Sequence, residues 1–208
     1  MAKYINADCK LCRREGAKLF LKGEKCTSKK CPLEVRPTAP GQHGTVRKKA
    51  SEYNVHLREK QKAKRAYGLL EKQFHTYYVK ASAMKGIAGE NMLRLIEMRL
   101  DNVAYRMGIG ASRAQSRQIV NHGLLTVNGN VVDIPSYQVK VGDVIAVKEA
   151  SRSSAKIKGL IEALESKTAP KWIELDKTNA AAKIVAKPAR DDVEFPFEEQ
   201  RIVELYSK

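Results

Sequence analysis

All four cysteines lie among the first 31 residues, as Cys9-x2-Cys12 and Cys26-x4-Cys31, with 13 residues between the pairs. The opening residues (Met1-Ala2-Lys3-Tyr4-Ile5) lack the apolar core of a secretory signal, so no signal is expected. Four closely spaced thiols in that setting point to a metal before disulfides. Tetrahedral Zn2+ suits four thiolates, and the surrounding lysines and arginines favour ionised sulfur. An iron–sulfur cluster is also held by four cysteines. The spacing therefore leaves Zn2+, a cluster, and free or disulfide-bonded cysteines all open. Four protein ligands leave no position for a substrate, so the expected role is structural: folding a segment too small and polar to fold alone.

A second group of residues has the chemistry of a polyanion binder. Arg99, Arg106, Arg113 and Arg117 sit on two helical stretches with apolar residues between them. Arg113 and Arg117 are four apart and are expected to share one exposed helix face. The planar guanidinium engages phosphate bidentately, which suits such a face to a nucleic-acid backbone. Arg58, Lys60, Lys62, Lys64 and Arg65 form a second basic surface, and Arg13, Arg14, Lys29, Lys30, Arg47, Lys48 and Lys49 a third. An ordinary solvated basic face is the alternative reading. Catalysis is not expected. No phosphate-cradling glycine loop, His-Glu-x-x-His or Gly-x-Ser-x-Gly occurs, and His43, His56, His75 and His122 are scattered.

Length and composition bound the elements that must carry these groups. The chain has 208 residues, 43% of them hydrophobic, which is enough for one large or two small domains. Its 39 Lys and Arg against 23 Asp and Glu give +16 and imply a nucleic-acid partner. The excess is one-sided, with 13 cations against 4 acids in residues 1–49, whereas residues 188–208 are net −3. No apolar run approaches the roughly 18 residues of a membrane span, so no membrane partner is expected.

Residues 1–49, rich in Gly, Pro and cations, read as a turning, extended arm. Ser51 and Glu52 start a basic helix that Gly68 ends, and a second helix spans about 69–84, with Leu70, Phe74, Tyr77, Tyr78 and Ala81 as its core stripe. A third runs from about Glu90 to Met107, and Ser112 caps a fourth that ends near Asn121, with Gly123 just beyond. The pattern then turns to period two. Asn128-Gly129 marks a hairpin amid Leu125, Val127, Val131 and Ile134, and Val144 to Val147 is a buried strand. A helix at about 152–166, extended pieces at Trp172–Leu175 and Ile184-Val185, and an amphipathic stretch near 198–206 complete the chain. The fold class is α+β, mostly helical.

The run from Arg99 to Val147 resembles the RNA-binding module first named for small-subunit ribosomal protein four. The likeness rests on Arg99-Leu100-Asp101-Asn102, Arg113-Ala114, Arg117-Gln118, His122-Gly123, Val127-Asn128-Gly129, Pro135-Ser136-Tyr137 and Gly142-Asp143. Beyond the module, the chain is similar to the bacterial family at Cys9-x2-Cys12-Arg13-Arg14-Glu15-Gly16, Pro40-Gly41-Gln42-His43-Gly44, Leu57 to Lys62, and Ile202 to Lys208. Departures are few: Ala63, Ala66, Ala104 and Ile109 replace bulkier family residues, and 176–200 matches weakly.

The resemblance implies a metal-bound arm over 1–44, a helical domain over 45–97 completed by about 150–208, and the RNA-binding module, with its small antiparallel sheet, inserted at 98–149. It also implies a primary binder of 16S rRNA that holds a multi-helix junction and nucleates assembly of the small subunit. The expected setting is the cytoplasmic ribosome, beside small-subunit proteins five and three and near the mRNA entry channel. Roles in decoding accuracy and in repressing its own message are implied as well. Some family members lack the cysteines, which makes the metal an accessory. Two other classes compete with this reading. An RNA-modifying enzyme would need a further catalytic domain, and a DNA-binding zinc-module regulator would need a groove-reading helix and usually a dimer.

Overall fold

The computed structural model describes residues 4–46, 49, 51–164 and 167–207. The chain forms two compact units: Met1–Leu93 with Phe195–Lys208, and Arg94–Glu194. The helical unit is thus completed only from Phe195 onward. The return expected near 150 does not occur, because the intervening strands join the sheet of the second unit.

The first unit opens with three short helices, α1 (Cys9–Glu15), α2 (Glu24–Thr27) and α3 (Pro32–Val35), where an extended arm was expected. Gly16, left-handed at φ 64°, stops α1. Next come α4 (Glu52–Ala66), α5 (Glu71–Ser82) and α6 (Ala88–Glu97), whose last residues belong to the second unit. The Ser51 hydroxyl accepts from the Asn54 N–H at 3.3 Å and caps α4. The C-terminal helix α11 (Glu199–Ser207) packs along α4. Phe74, Tyr77 and Ala81 are buried as expected, whereas Leu70 is exposed and Tyr78 half-buried. An aromatic cluster of Phe20, Tyr67, Phe195 and Phe197 joins the arm to the returning chain.

In the second unit, α7 (Leu100–Arg106) and α8 (Arg113–Asn121) precede the hairpin strands β1 (Leu125–Val127) and β2 (Asn130–Val131) and then β3 (Val144–Val147). Helices α9 (Glu149–Arg152) and α10 (Ala155–Leu164) follow, and β4 (Ile173–Asp176) and β5 (Ala181–Ile184) complete an antiparallel sheet in the order β2-β1-β3-β5-β4. The hairpin turns at Asn128 (φ 50°) and Gly129 (φ 83°), the left-handed pair that matches strand twist. Ile145 lies opposite Ala182, and Leu125 opposite Val147. One face of the sheet buries Leu125, Val127, Ile145, Val147 and Ile184 in a common core with Leu100, Val103, Ile119, Ile157, Leu164 and Trp172. Burial on that scale supplies most of the driving force for the unit, at about 25 cal/mol per Å² of apolar surface.

The single helix expected over 90–107 is two helices. At Arg99 the backbone is extended (ψ 141°) and bridges Gln138. The first N–H groups of α7 are taken by the Tyr137 and Pro135 carbonyls, and Val139 donates to Met98 O. A distant segment thus satisfies the backbone groups that a continuous helix would have paired internally.

Candidate nucleic-acid interface

In the second unit the expected arginines meet acids. Arg99 donates to Asp101 through Nε (3.0 Å) and Nη2 (2.7 Å), and Arg117 Nη1 reaches the same carboxylate at 2.6 Å. Arg106 grips Glu97 through Nε (3.0 Å) and Nη2 (2.8 Å), and a third nitrogen, Nη1, lies 2.6 Å from Glu194. Arg113 donates to Asn102 Oδ1 at 2.9 Å, stacks on the Tyr105 ring at 4.4 Å and meets Glu194 at 3.4 Å. Asn102 in turn donates to the Glu97 carbonyl and carboxylate.

These contacts correct the expected exposed arginine face. The side chains of Arg99, Arg106 and Arg113 are 1%, 5% and 8% exposed, and only Arg117, at 17%, reaches further out. The physical reason is charge pairing. A buried guanidinium must be matched by an acid, and Glu97, Asp101 and Glu194 provide the match. The outer face of α8 is instead Ala114, Gln118 and Asn121. Local structure sets the partners. The Ser112 hydroxyl caps α8 by accepting from Gln115 N–H, and Gly110 lets that turn close, since a Cβ there would run into Ser116 Oγ.

The basic run on α4 is neutralised in the same way. Arg58 (3.1 Å) and Arg65 both pair with Glu15, whose side chain is fully buried. Burial pushes the Glu15 carboxyl above its ordinary value, although both arginines pull it down. Lys60 and Lys64 bind Glu71 at 2.6 and 2.8 Å, and Lys62 binds Glu59 at 2.5 Å. Burial would raise Glu71, but hydrogen bonds from Lys60, Lys64 and Tyr206 outweigh it and hold the carboxyl at about 2.

The N-terminal segment differs. Lys10, Arg14, Lys22, Lys25, Lys29, Lys30 and Arg36 are exposed, and the ion pairs identified among the described residues involve none of them. Lys49 is exposed too. Arg13 is half-buried and donates to Thr38 O at 2.9 Å, and Lys18 pairs with Glu34. Arg47 and Lys48 lie outside the described residues.

Cys12, Cys26 and Cys31 are buried and Cys9 half-buried, all as free thiols. Cys9 and Cys12 belong to α1, Cys26 to α2, and Cys31 precedes α3. Burial pushes the Cys12 thiol up, a Leu19 backbone hydrogen bond opposes this, and the fields of Cys26, Cys9 and Cys31 add to the rise. The Lys22 N–H donates to Cys26 Sγ at 3.3 Å. Among the described residues no three His, Cys, Asp or Glu side chains are grouped as metal ligands.

Comparison with known proteins places this geometry. The model of the ribosomal protein S4/S9 N-terminal domain matches residues 3–97, and that of the S4 domain matches 98–145. Small ribosomal subunit protein uS4 of Ruminiclostridium cellulolyticum is 58% identical over all 208 residues and the full length of both chains. The uS4 proteins of Acetivibrio thermocellus and Pelotomaculum thermopropionicum are 58% and 56% identical over the same span. The chain belongs to the uS4 family.

The uS4 family is one of ribosomal structural proteins, not of enzymes. The Arg99-to-Asn102 motif that carried the sequence resemblance has a structural role here: it splits the helix, pairs Arg99 with Asp101 and seats Asn102 against Glu97. Sequence reasoning missed Glu97, Asn102 and Glu194 as partners of the arginines. Asp101, two residues from Arg99 in the motif, was the available signal.

Proposed function

We propose that this uS4-family chain is a structural protein of the small ribosomal subunit that binds 16S rRNA at a multi-helix junction. The observation that carries the reading is the row of exposed cations on the N-terminal segment, on a chain matching uS4 proteins end to end. Phosphate contacts supply most of such binding and make it steeply salt-dependent, while rigid surfaces choose the RNA shape. The second unit, with its buried polar network, is such a surface. Its place of work is the ribosome, in the bacterial cytoplasm, with small-subunit proteins five and three as neighbours near the mRNA path. Competition at matched salt between a five-prime-domain 16S rRNA fragment and duplex DNA tests this. Preference for the rRNA is expected, and equal affinities would overturn the reading.

We also propose that Cys9, Cys12, Cys26 and Cys31 take up one Zn2+ or one iron–sulfur cluster. The support is their shared interior, where each of the other three acts on the Cys12 thiol, and the backbone donors aimed at sulfur. Bound metal would replace the thiol protons and tie α1, α2 and α3 together. Metal analysis of anaerobically purified protein should give one site per chain. Cys26→Ser should empty it and leave α4, α5 and α11 folded by circular dichroism. Full occupancy in that variant would sink the four-cysteine assignment.

A further inference from the structure

We infer that Glu194 is an internal stand-in for an RNA phosphate: its carboxylate fills a site built by Arg106 and Arg113, and rRNA binding exchanges it for a backbone phosphate. The inference rests on the rRNA-binding reading above and names where that contact is made.

Three observations carry it. The first is geometry. One carboxylate spans two guanidinium forks, with Oε1 2.6 Å from Arg106 Nη1 and Oε2 3.4 Å from Arg113 Nη2. A phosphate presents the same paired oxygens to arginine. The second is the contrast in exposure. The two arginine side chains are 5% and 8% exposed and Glu194 is 46%, so the acid is the outermost member of the network. The forks keep their places without it, because Arg106 is gripped by Glu97 and Arg113 by Asn102 and the Tyr105 ring. Glu194 also lies in a stretch with neither helix nor strand, between Arg190–Asp192 and α11, so no backbone ladder fixes it.

The third observation is space. A groove of about 470 Å³ opens beside the pair, lined by Tyr105, Arg106, Gly110, Lys167, Lys171 and Glu194. Lys167 and Lys171 are exposed, and Asp191 and Asp192 line the same groove. Two further cations beside the arginines suit a run of backbone phosphates. With Glu194 in place the groove's three cations, Arg106, Lys167 and Lys171, are balanced by its three acids, and only departure of the Glu194 carboxylate leaves net positive charge for a polyanion. The exchange involves no covalent step: one charge-assisted pair is given up as another forms.

The test titrates the full chain with a five-prime-domain 16S rRNA fragment, using the wild type, Glu194→Gln and Glu174→Gln. Glutamine keeps the shape of the side chain and removes its charge. Glu174, exposed on β4 and opposite Lys183, controls for simple loss of one acid. Removing a competing internal ligand should tighten Glu194→Gln by about 3- to 10-fold and leave its salt slope as in the wild type, because both proteins end with the same phosphates neutralised, while Glu174→Gln stays within about twofold of wild type. Unchanged affinity in Glu194→Gln, or equal tightening in both variants, would overturn the exchange. Wild-type protein that does not prefer the rRNA would instead tell against the functional reading.

A second measurement needs no variant. The Nε–Hε resonances of Arg106 and Arg113 in wild-type protein should shift on adding the RNA fragment and stay in place with millimolar inorganic phosphate at the same ionic strength. Equal shifts with inorganic phosphate would make this a free-anion site, and no shift with RNA would leave Glu194 in place; either result overturns the inference.

Discussion

The N-terminal segment and the second unit both carry cations in a pattern that suggests RNA binding, yet they use them in opposite ways. In the first, Lys25, Lys29 and Lys30 stand in solvent next to Cys26 and Cys31 in the chain. In the second, Arg99, Arg106 and Arg113 are enclosed and matched by Asp101, Glu97 and Glu194. An exposed lysine keeps its hydration and is free to trade counterions for phosphate, whereas the donors that Arg99 and Arg106 give to Asp101 and Glu97 are committed to holding the fold. Net charge therefore locates the partner's sign but not the contacts. The partner of each cation must be found before the cation is counted as a binding group.

The sharpest way to break this contrast is to remove a partner acid. Glu97 has a 1% exposed side chain and accepts from both Arg106 and Asn102. Glu97→Ala would leave a buried guanidinium without its main partner and should cost the second unit about 3–5 kcal/mol, read by denaturant unfolding. A loss below about 1 kcal/mol would mean that the network relaxes freely. Arg99→Ala should cost less, about 1–3 kcal/mol, because Arg117 still pairs with Asp101. The same substitution at Lys29 or Lys30 should stay within about 0.5 kcal/mol, as at any exposed site.

A pH titration sharpens the comparison inside the first unit, where α4 has its cations occupied. The folded Glu71 carboxyl lies at about 2 against an ordinary 4.5. A carboxyl lowered on folding adds stability that is complete above the ordinary value and is lost as pH falls toward the folded one. Unfolding of the wild type should therefore become easier from about pH 4.5 down to about 2, and Glu71→Gln should flatten that part of the profile. Identical profiles would show that Lys60, Lys64 and Tyr206 do not bind the carboxylate in solution.

Local signals were legible where local physics decides. Ser51 and Ser112 cap the helices expected of them, Gly68 and Gly123 adopt the left-handed φ that ends a helix, and Asn128-Gly129 makes the hairpin. The break at Arg99 was not, because the residues around it keep helical spacing and the competing partners, Pro135, Tyr137 and Val139, lie some forty positions on. The same holds for β5, whose pairing with β3 moves residues up to Glu194 out of the helical unit. For the arginines, spacing identified a shared neighbourhood. It could not reveal that Glu194, more than eighty residues from Arg113 in the chain, would close over it.

The most direct test of the contrast is the salt dependence of rRNA binding in two variants. One replaces Lys10, Arg14, Lys22, Lys25, Lys29 and Lys30 with glutamine, and the other is Arg99→Gln, measured where it is folded. The first should flatten the log–log slope by about 0.7–0.9 for each phosphate no longer neutralised, and the second should leave the slope unchanged. A slope that survives loss of the N-terminal cations but falls with Arg99 would contradict the account.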